Sequence, residues 1–223
     1  MVKAVIFDMD GVIIDSEEKY LKYIYEFARE KKQDIRLEEL YGTVGATKKD
    51  CWEIVERAVG NGQNWERLRQ EYHERGIWKR AFEEVDYKAI FRSEVLDVMD
   101  ELQKMGLKLA VASSTGMAQV KRILTMNHVW ERLETAVSGE MFKRSKPDPE
   151  IYLYTAAELG MDPSQCLAIE DSTVGITAGK AAGMRVAALI DDRFGFDRSL
   201  ADREISDLRE IPDLVRCLMG MEA

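Results

Sequence analysis

The chain has 223 residues, of which 46% are hydrophobic, 33% are charged and only 4 are proline, the composition of a folded globular protein with room for one large domain or a core with a smaller insertion. Its formal net charge of -9 argues against general affinity for nucleic acid or anionic membrane, because binding to phosphate backbones needs clustered Lys and Arg. Three scattered cysteines, Cys51, Cys166 and Cys217, with no C-x-x-C pair, leave neither a disulfide framework nor a zinc site and fit a reducing cytoplasm.

In chain order, the apolar run from Ala4 to Phe7 comes first, too short and too soon followed by carboxylates for a signal peptide. It is β-branched and aromatic without alternation, the pattern of a strand buried on both faces of a parallel sheet. From about Ser16 to Asp86 the pattern turns helical: Tyr20, Ile24, Phe27 and Ala28 share one face, and Ile54, Val55 and Ala58 form another stripe. Between them, Tyr41 to Thr47 carries two glycines and reads as a loop. Four further strands are predicted at Leu107 to Ala112, Ala136-Val137, Cys166 to Ile169 and Val186 to Ile190. Helices are predicted at Glu94 to Met105, with Ser93 as N-cap and Gly106 as stop, at Met117 to Met126, and at Glu150 to Leu159 before Gly160. Strands alternating with helices give an α/β fold, a doubly wound parallel sheet, made of residues 1-15 and 87-223, with residues 16-86 inserted as an α-helical cap. No window approaches the roughly 18 apolar residues of a membrane-crossing helix.

Ligands of such sheets sit at the carboxyl ends of the strands. There this chain places Asp8 and Asp10, then Ser113 and Ser114, then Lys146, then Glu170 and Asp171. Four carboxylates brought together repel one another and call for a cation, and oxygen donors suit Mg²⁺. Asp8 and Asp10, one residue apart, share a side if the strand continues through them, so that one can attack while the other handles a proton. A metal-screened carboxylate is a competent nucleophile toward phosphorus, with Lys146 and the Ser113 hydroxyl to neutralise and orient the transferred group. Each piece alone has a plainer reading: Asp-x-Asp-Gly as a turn, Ser113-Ser114 as a cap, Lys146 to Pro149 as a rigid loop, Glu170 to Ser172 as a helix N-terminus. An EF-hand loop is excluded because Gly11 is fourth and Lys19 twelfth from Asp8, where Gly sixth and Glu twelfth are needed. His73 and His128 stand alone in helical contexts and read as structural. Gly175 and Gly179 read as a close-packing pair.

The joint order of the four segments resembles the haloacid dehalogenase (HAD) superfamily of hydrolases, and within it the β-phosphoglucomutase-like branch with a helical cap. Phe7 to Ser16 matches the first motif, Val111 to Thr115 the second, Ser145 to Tyr152 the third and Ile169 to Gly175 the fourth, so the resemblance spans nearly the whole chain. It implies a Rossmann-like core with Asp8 as nucleophile, Asp10 as general acid and then base, and Ser113 and Lys146 on the phosphoryl oxygens. It also implies Mg²⁺ held by Asp8, the Asp10 main-chain carbonyl, Glu170 and Asp171.

The resemblance extends to the cap, where the mutases carry a Thr with a His four residues on, and a loop with Arg and Lys that grips the sugar phosphate. The corresponding places here are Ser16, Tyr20, Val44 and Lys48, and Gly116-Met117 replaces a Lys-Asn pair after the second motif. Loss of the His and of a cationic grip favours water over a sugar hydroxyl as phosphoryl acceptor. The expectation is a Mg²⁺-dependent phosphatase of small phosphate monoesters, sugar phosphates among them, with Ser16, Tyr20, Lys48 and Ser114 joining Ser113 and Lys146 in substrate binding. The alternatives are a phosphosugar mutase and, below it, a non-catalytic binding protein on the same fold. The partner expected is a small phosphorylated metabolite, with no nucleic acid or membrane, and the chain is expected as a monomer or weak dimer.

Overall fold

The computed structural model describes residues 1-220. They divide into two compact units, one formed by Met1–Asp15, Lys88–Asp192 and the segment from Phe196 onward, the other by Ser16–Tyr87 with Arg193–Gly195. In chain order, β1 (Ala4–Phe7) leads into α1 (Glu17–Lys31), α2 (Lys48–Val59), α3 (Trp65–Glu74) and α4 (Ile77–Glu84). Then come α5 (Glu94–Lys104), β2 (Lys108–Ser113), α6 (Met117–Met126), β3 (Thr135–Ser138), α7 (Glu150–Glu158), β4 (Cys166–Glu170), α8 (Thr173–Ala181), β5 (Arg185–Leu189), β6 (Arg203–Ile205) and α9 (Ile211–Met219).

The first unit is an α/β fold around one parallel sheet with the order β3-β2-β1-β4-β5-β6. All four residues of β1 are buried, as a run without alternation requires when helices cover both faces. Each fully buried aliphatic side chain there, Ile6 for example, contributes about 1.5-3 kcal/mol through the area it removes from water. The register sets Phe7 beside Val111 of β2 on one side and Ile169 of β4 on the other. Residues just past Phe7 are therefore flanked by the ends of β2 and β4.

Five strands were expected and six are present among the described residues. Arg203-Glu204-Ile205 is short and charged and lies at the sheet edge with only Ile205 buried, where charges discourage pairing with another chain. Ser93 does precede α5, but its backbone is already helical and its side chain makes no capping bond. Gly179 approaches the sheet so closely that a Cβ would sit 2.8 Å from Val186 Cγ2 and 3.4 Å from Ala168 Cβ, so its close packing is against β5 and β4.

The second unit is helical. Phe27, Trp52 and Tyr72 meet edge to face with centroids 5.1-5.9 Å apart and form its centre. The expected stripe on α1 holds for Phe27 and Ala28, which are buried, whereas Tyr20 and Ile24 are half-buried. Tyr87 is buried in this unit, its hydroxyl 3.1 Å from that of Tyr20. The expected loop at Tyr41 to Thr47 is in its first part a 3-10 helix, Leu37–Thr43, because Gly42 does not need a left-handed backbone; Gly45, at φ 62°, makes the turn. No helix among the described residues is long and apolar enough to cross a membrane.

Candidate active site

Asp8 is the first residue beyond β1, and its N–H still bonds the Ile169 carbonyl at 2.9 Å, so its side chain leaves the sheet between the ends of β2 and β4. The strand does not continue to Asp10. Ile13 and Ile14 N–H groups both fold back to the Met9 carbonyl, and Gly11 takes φ 82° to make the turn. Gly11 is required twice over, for its left-handed backbone and because a Cβ would overlap the Asp171 carboxylate. The two aspartates consequently meet different partners. Asp10 accepts a hydrogen bond from the Thr115 hydroxyl at 2.8 Å, and Thr115 is in turn held by its N–H to Ser113 Oγ (3.1 Å) and its carbonyl to the Ser138 hydroxyl (2.7 Å).

Lys146, from the loop between β3 and α7, brings the other end of Asp8 into a buried network. Its ammonium donates to Asp8 Oδ1 at 2.7 Å, Glu170 Oε1 at 2.6 Å and the Ala112 carbonyl at 3.0 Å. The Tyr152 hydroxyl, from the first turn of α7, donates to the same Glu170 Oε1 at 2.5 Å. Burial alone would lower the lysine's pKa, but Asp8 and Glu170 overcome it and hold the ammonium well above its ordinary value. Burial pushes the Asp8 carboxyl up to about 7 against the pull of Lys146, with the nearby Glu170 and Asp10 adding to the rise. Burial and then Glu170 raise the Tyr152 phenol well above its usual range, so it keeps its proton and serves as a donor.

Asp8, Glu170 and Asp171 offer ligand oxygens all within 4.8 Å of one another, and all three residues are buried. With all three ionised, the cluster sets three carboxylates against the single Lys146 ammonium, an excess of two negative charges among buried residues. Glu170 Oε2 is buried and has no hydrogen-bond partner among the described residues, which is costly unless a cation meets it. Beside it, Gly175 of α8 leaves the space that a Cβ would take from the Glu170 carboxylate, and Ser172 caps α8 by accepting from the Gly175 N–H. Oxygen donors, charge excess and vacant lone pairs together fit a small divalent cation such as Mg²⁺.

Of the residues singled out from sequence, the fold thus gathers Asp8, Lys146, Glu170 and Asp171, with Asp10 alongside on Thr115. Ser113 is buried at the end of β2, next to the Ala112 carbonyl that takes Lys146, while Ser114 is exposed. Ser16, Tyr20 and Lys48 belong to the helical unit: Ser16 is buried just before α1, Tyr20 is half-buried on it, and Lys48 is the exposed first residue of α2. Thr115 and Tyr152 were not singled out, although both lie inside the matched segments. Their only signal was proximity, two residues after Ser113 and six after Lys146.

Residues 5–189 match the family model described as haloacid dehalogenase-like hydrolase. The chain is 34% identical over 220 residues to hexitol phosphatase B of Escherichia coli (strain K12), covering 94% of each chain. It is 30% identical over 184 residues to the phosphorylated carbohydrates phosphatase of Thermotoga maritima, covering 82% of each. Among solved structures, a putative β-phosphoglucomutase from Thermotoga maritima superposes with a TM-score of 0.70 at 25% identity, covering 97% of this chain and all of that one.

Proposed function

Because this chain belongs to the haloacid dehalogenase-like hydrolases and is a phosphohydrolase, we propose that it hydrolyses small phosphate monoesters through a phosphoryl group carried on Asp8. The observation that carries this reading is the buried trio Asp8, Glu170 and Asp171 with a single lysine shared between two of its members. Asp8, Glu170, Asp171 and the Asp10 main-chain carbonyl would hold Mg²⁺, which when bound would supply the positive charge that lets a carboxylate approach an anionic phosphoryl group.

An Asp8 carboxylate oxygen forms a bond to phosphorus as the bond from phosphorus to the ester oxygen breaks, and Asp10 gives that leaving oxygen its proton. Asp10, now ionised, takes a proton from water as the water oxygen bonds to phosphorus and the Asp8–phosphorus bond breaks, which returns both aspartates to their starting states. Thr115, bonded to Asp10, holds the proton-transfer group in place. The Ser113 hydroxyl and Lys146 are proposed to hold the phosphoryl oxygens, Lys146 by turning to them the N–H that Asp8 Oδ1 accepts here while Ala112 and Glu170 keep the ammonium in place.

Phosphorylated sugars and sugar alcohols are the proposed substrates, supported by the names of the two phosphatases above, which this chain matches over most of their length. The helical unit, residues 16-86, is proposed as the cap that selects among them through Ser16, Tyr20 and Lys48. A panel of sugar and sugar-alcohol phosphates with Mg²⁺, assayed for free phosphate, tests the reading, with β-glucose 1-phosphate plus its bisphosphate included and glucose 6-phosphate measured. Phosphate release without isomerisation is expected; isomerisation would assign a mutase instead. Asp8→Asn should lower turnover by roughly 10⁴-fold or more, as loss of a covalent nucleophile does. Ester hydrolysis by that variant at the wild-type rate would sink the nucleophile assignment.

A further inference from the structure

The donors and acceptors around Glu170 are unequally shared between its two oxygens. Lys146 has three N–H donors, and three acceptors claim them: Asp8 Oδ1, Ala112 O and Glu170 Oε1, at 2.7, 3.0 and 2.6 Å. The Tyr152 oxygen, at 3.3 Å from Nζ, is the ammonium's fourth and most distant acceptor. The phenol's one proton goes to Glu170 Oε1. That oxygen therefore receives two donors, while Oε2 receives none among the described residues and lies in the space left by Gly175.

A carboxylate held by one hydrogen bond can rotate about its last torsion and exchange its oxygens. Two donors arriving at one oxygen from different elements, the loop before α7 and α7 itself, remove that freedom. We infer that Tyr152 is a positioning residue for the divalent cation: its hydroxyl, acting with Lys146, locks the Glu170 carboxylate so that Oε2 is the oxygen presented to the metal. This rests on the proposed metal site and adds to it a determinant of metal affinity that touches no metal itself. Loss of a partner that orients a metal-binding side chain in this way typically costs roughly 10- to 100-fold in metal affinity or activity.

The phenol ring also lies 4.9 Å from Lys146 Nζ and packs in the core, so the ring and the hydroxyl must be tested apart. Tyr152→Phe keeps the ring and removes only the hydroxyl. Ile151→Val trims the neighbouring buried side chain of α7 and serves as a packing control. Isothermal titration of Mg²⁺ into EDTA-stripped protein, without substrate, compares both with wild type. Tyr152→Phe should bind Mg²⁺ roughly 10- to 100-fold more weakly, and the Mg²⁺ concentration that half-activates hydrolysis should rise in step, while Ile151→Val leaves both unchanged. An unchanged affinity in Tyr152→Phe overturns the inference, as does an equal loss in both variants. A Tyr152→Phe chain that fails to fold where Ile151→Val folds overturns it too, since the hydroxyl would then serve the fold. Wild-type protein that takes up no Mg²⁺ would instead sink the metal site on which the inference rests.

Discussion

Replacing Lys146 by Met removes a buried ammonium and keeps most of the side chain's length and apolar contact. Lys146 is 5% exposed, its partners Asp8 and Glu170 are 8% and 0% exposed, and the two ion pairs are 2.7 and 2.6 Å long. Without the lysine, three buried carboxylates have no cation among them. Removing one partner of a buried ion pair costs about 3-5 kcal/mol because the remaining charge stays desolvated, and here two charges are left. Against a total stability of about 5-15 kcal/mol for an ordinary domain, the variant would be marginal in metal-free buffer.

The pH dependence follows from the direction of the Asp8 shift. Its pKa is raised from 3.8 to about 7 even with the lysine present, and loss of the lysine, which lowers it, raises it further. A carboxyl whose pKa is higher folded than unfolded gives stability that is whole below the unfolded value and is lost as pH rises through the folded one. The deficit of Lys146→Met relative to wild type should therefore be smaller near pH 5 than near pH 8. Urea titration followed by far-ultraviolet circular dichroism in EDTA, at both values, measures it. A variant within about 1 kcal/mol of wild type at pH 8 would refute the uncompensated-charge reasoning.

Two further substitutions probe the remaining parts of the site. Asp10→Asn should slow phosphate release by roughly 10²- to 10⁴-fold, the scale of a lost general acid and base, with the phosphoryl group accumulating on Asp8 whenever the first step still proceeds; unchanged rapid-quench kinetics would remove Asp10 from proton transfer. Gly175→Ala drives a Cβ into the Glu170 carboxylate, which has no solvent to move into, and should cost about 1-3 kcal/mol in urea titrations together with weaker Mg²⁺ binding; wild-type values for both would show that the carboxylate can shift freely.

Much of this was legible in the chain because it depends on local pattern. A buried parallel strand reads as an unbroken apolar run, and β1, β2, β4 and β5 were found within a residue of their observed ends for that reason. The third strand was recognised from only its two central residues, and β6 was missed, because Arg203 and Glu204 at an edge satisfy no apolar criterion. The polar residues at strand ends stood out against these runs, and their order in the chain carried the family resemblance that the comparisons bear out. Alternation along a strand is not what places Asp8 and Asp10: the strand ends at Phe7, and the turn at Gly11 brings Asp10 to Thr115 while leaving it close enough to Asp8 to raise that carboxyl's pKa.

From the sequence alone came the α/β class, the hydrolase family and the set of charged residues at the carboxyl edge of the sheet, all of which depend on residue type and spacing within a few positions. Tertiary structure alone decided who shares a proton with whom. Lys146 meets Asp8 across 138 residues of chain and Glu170 across 24, and no local spacing encodes that both pairs close on one nitrogen. Which oxygen of Glu170 accepts from Lys146 and Tyr152, and why a side chain at Gly11 or Gly175 would collide with a carboxylate, are settled by the parallel register that sets β1 between β2 and β4, because hydrogen bonding at these distances is decided by fractions of an ångström that only the packed sheet determines.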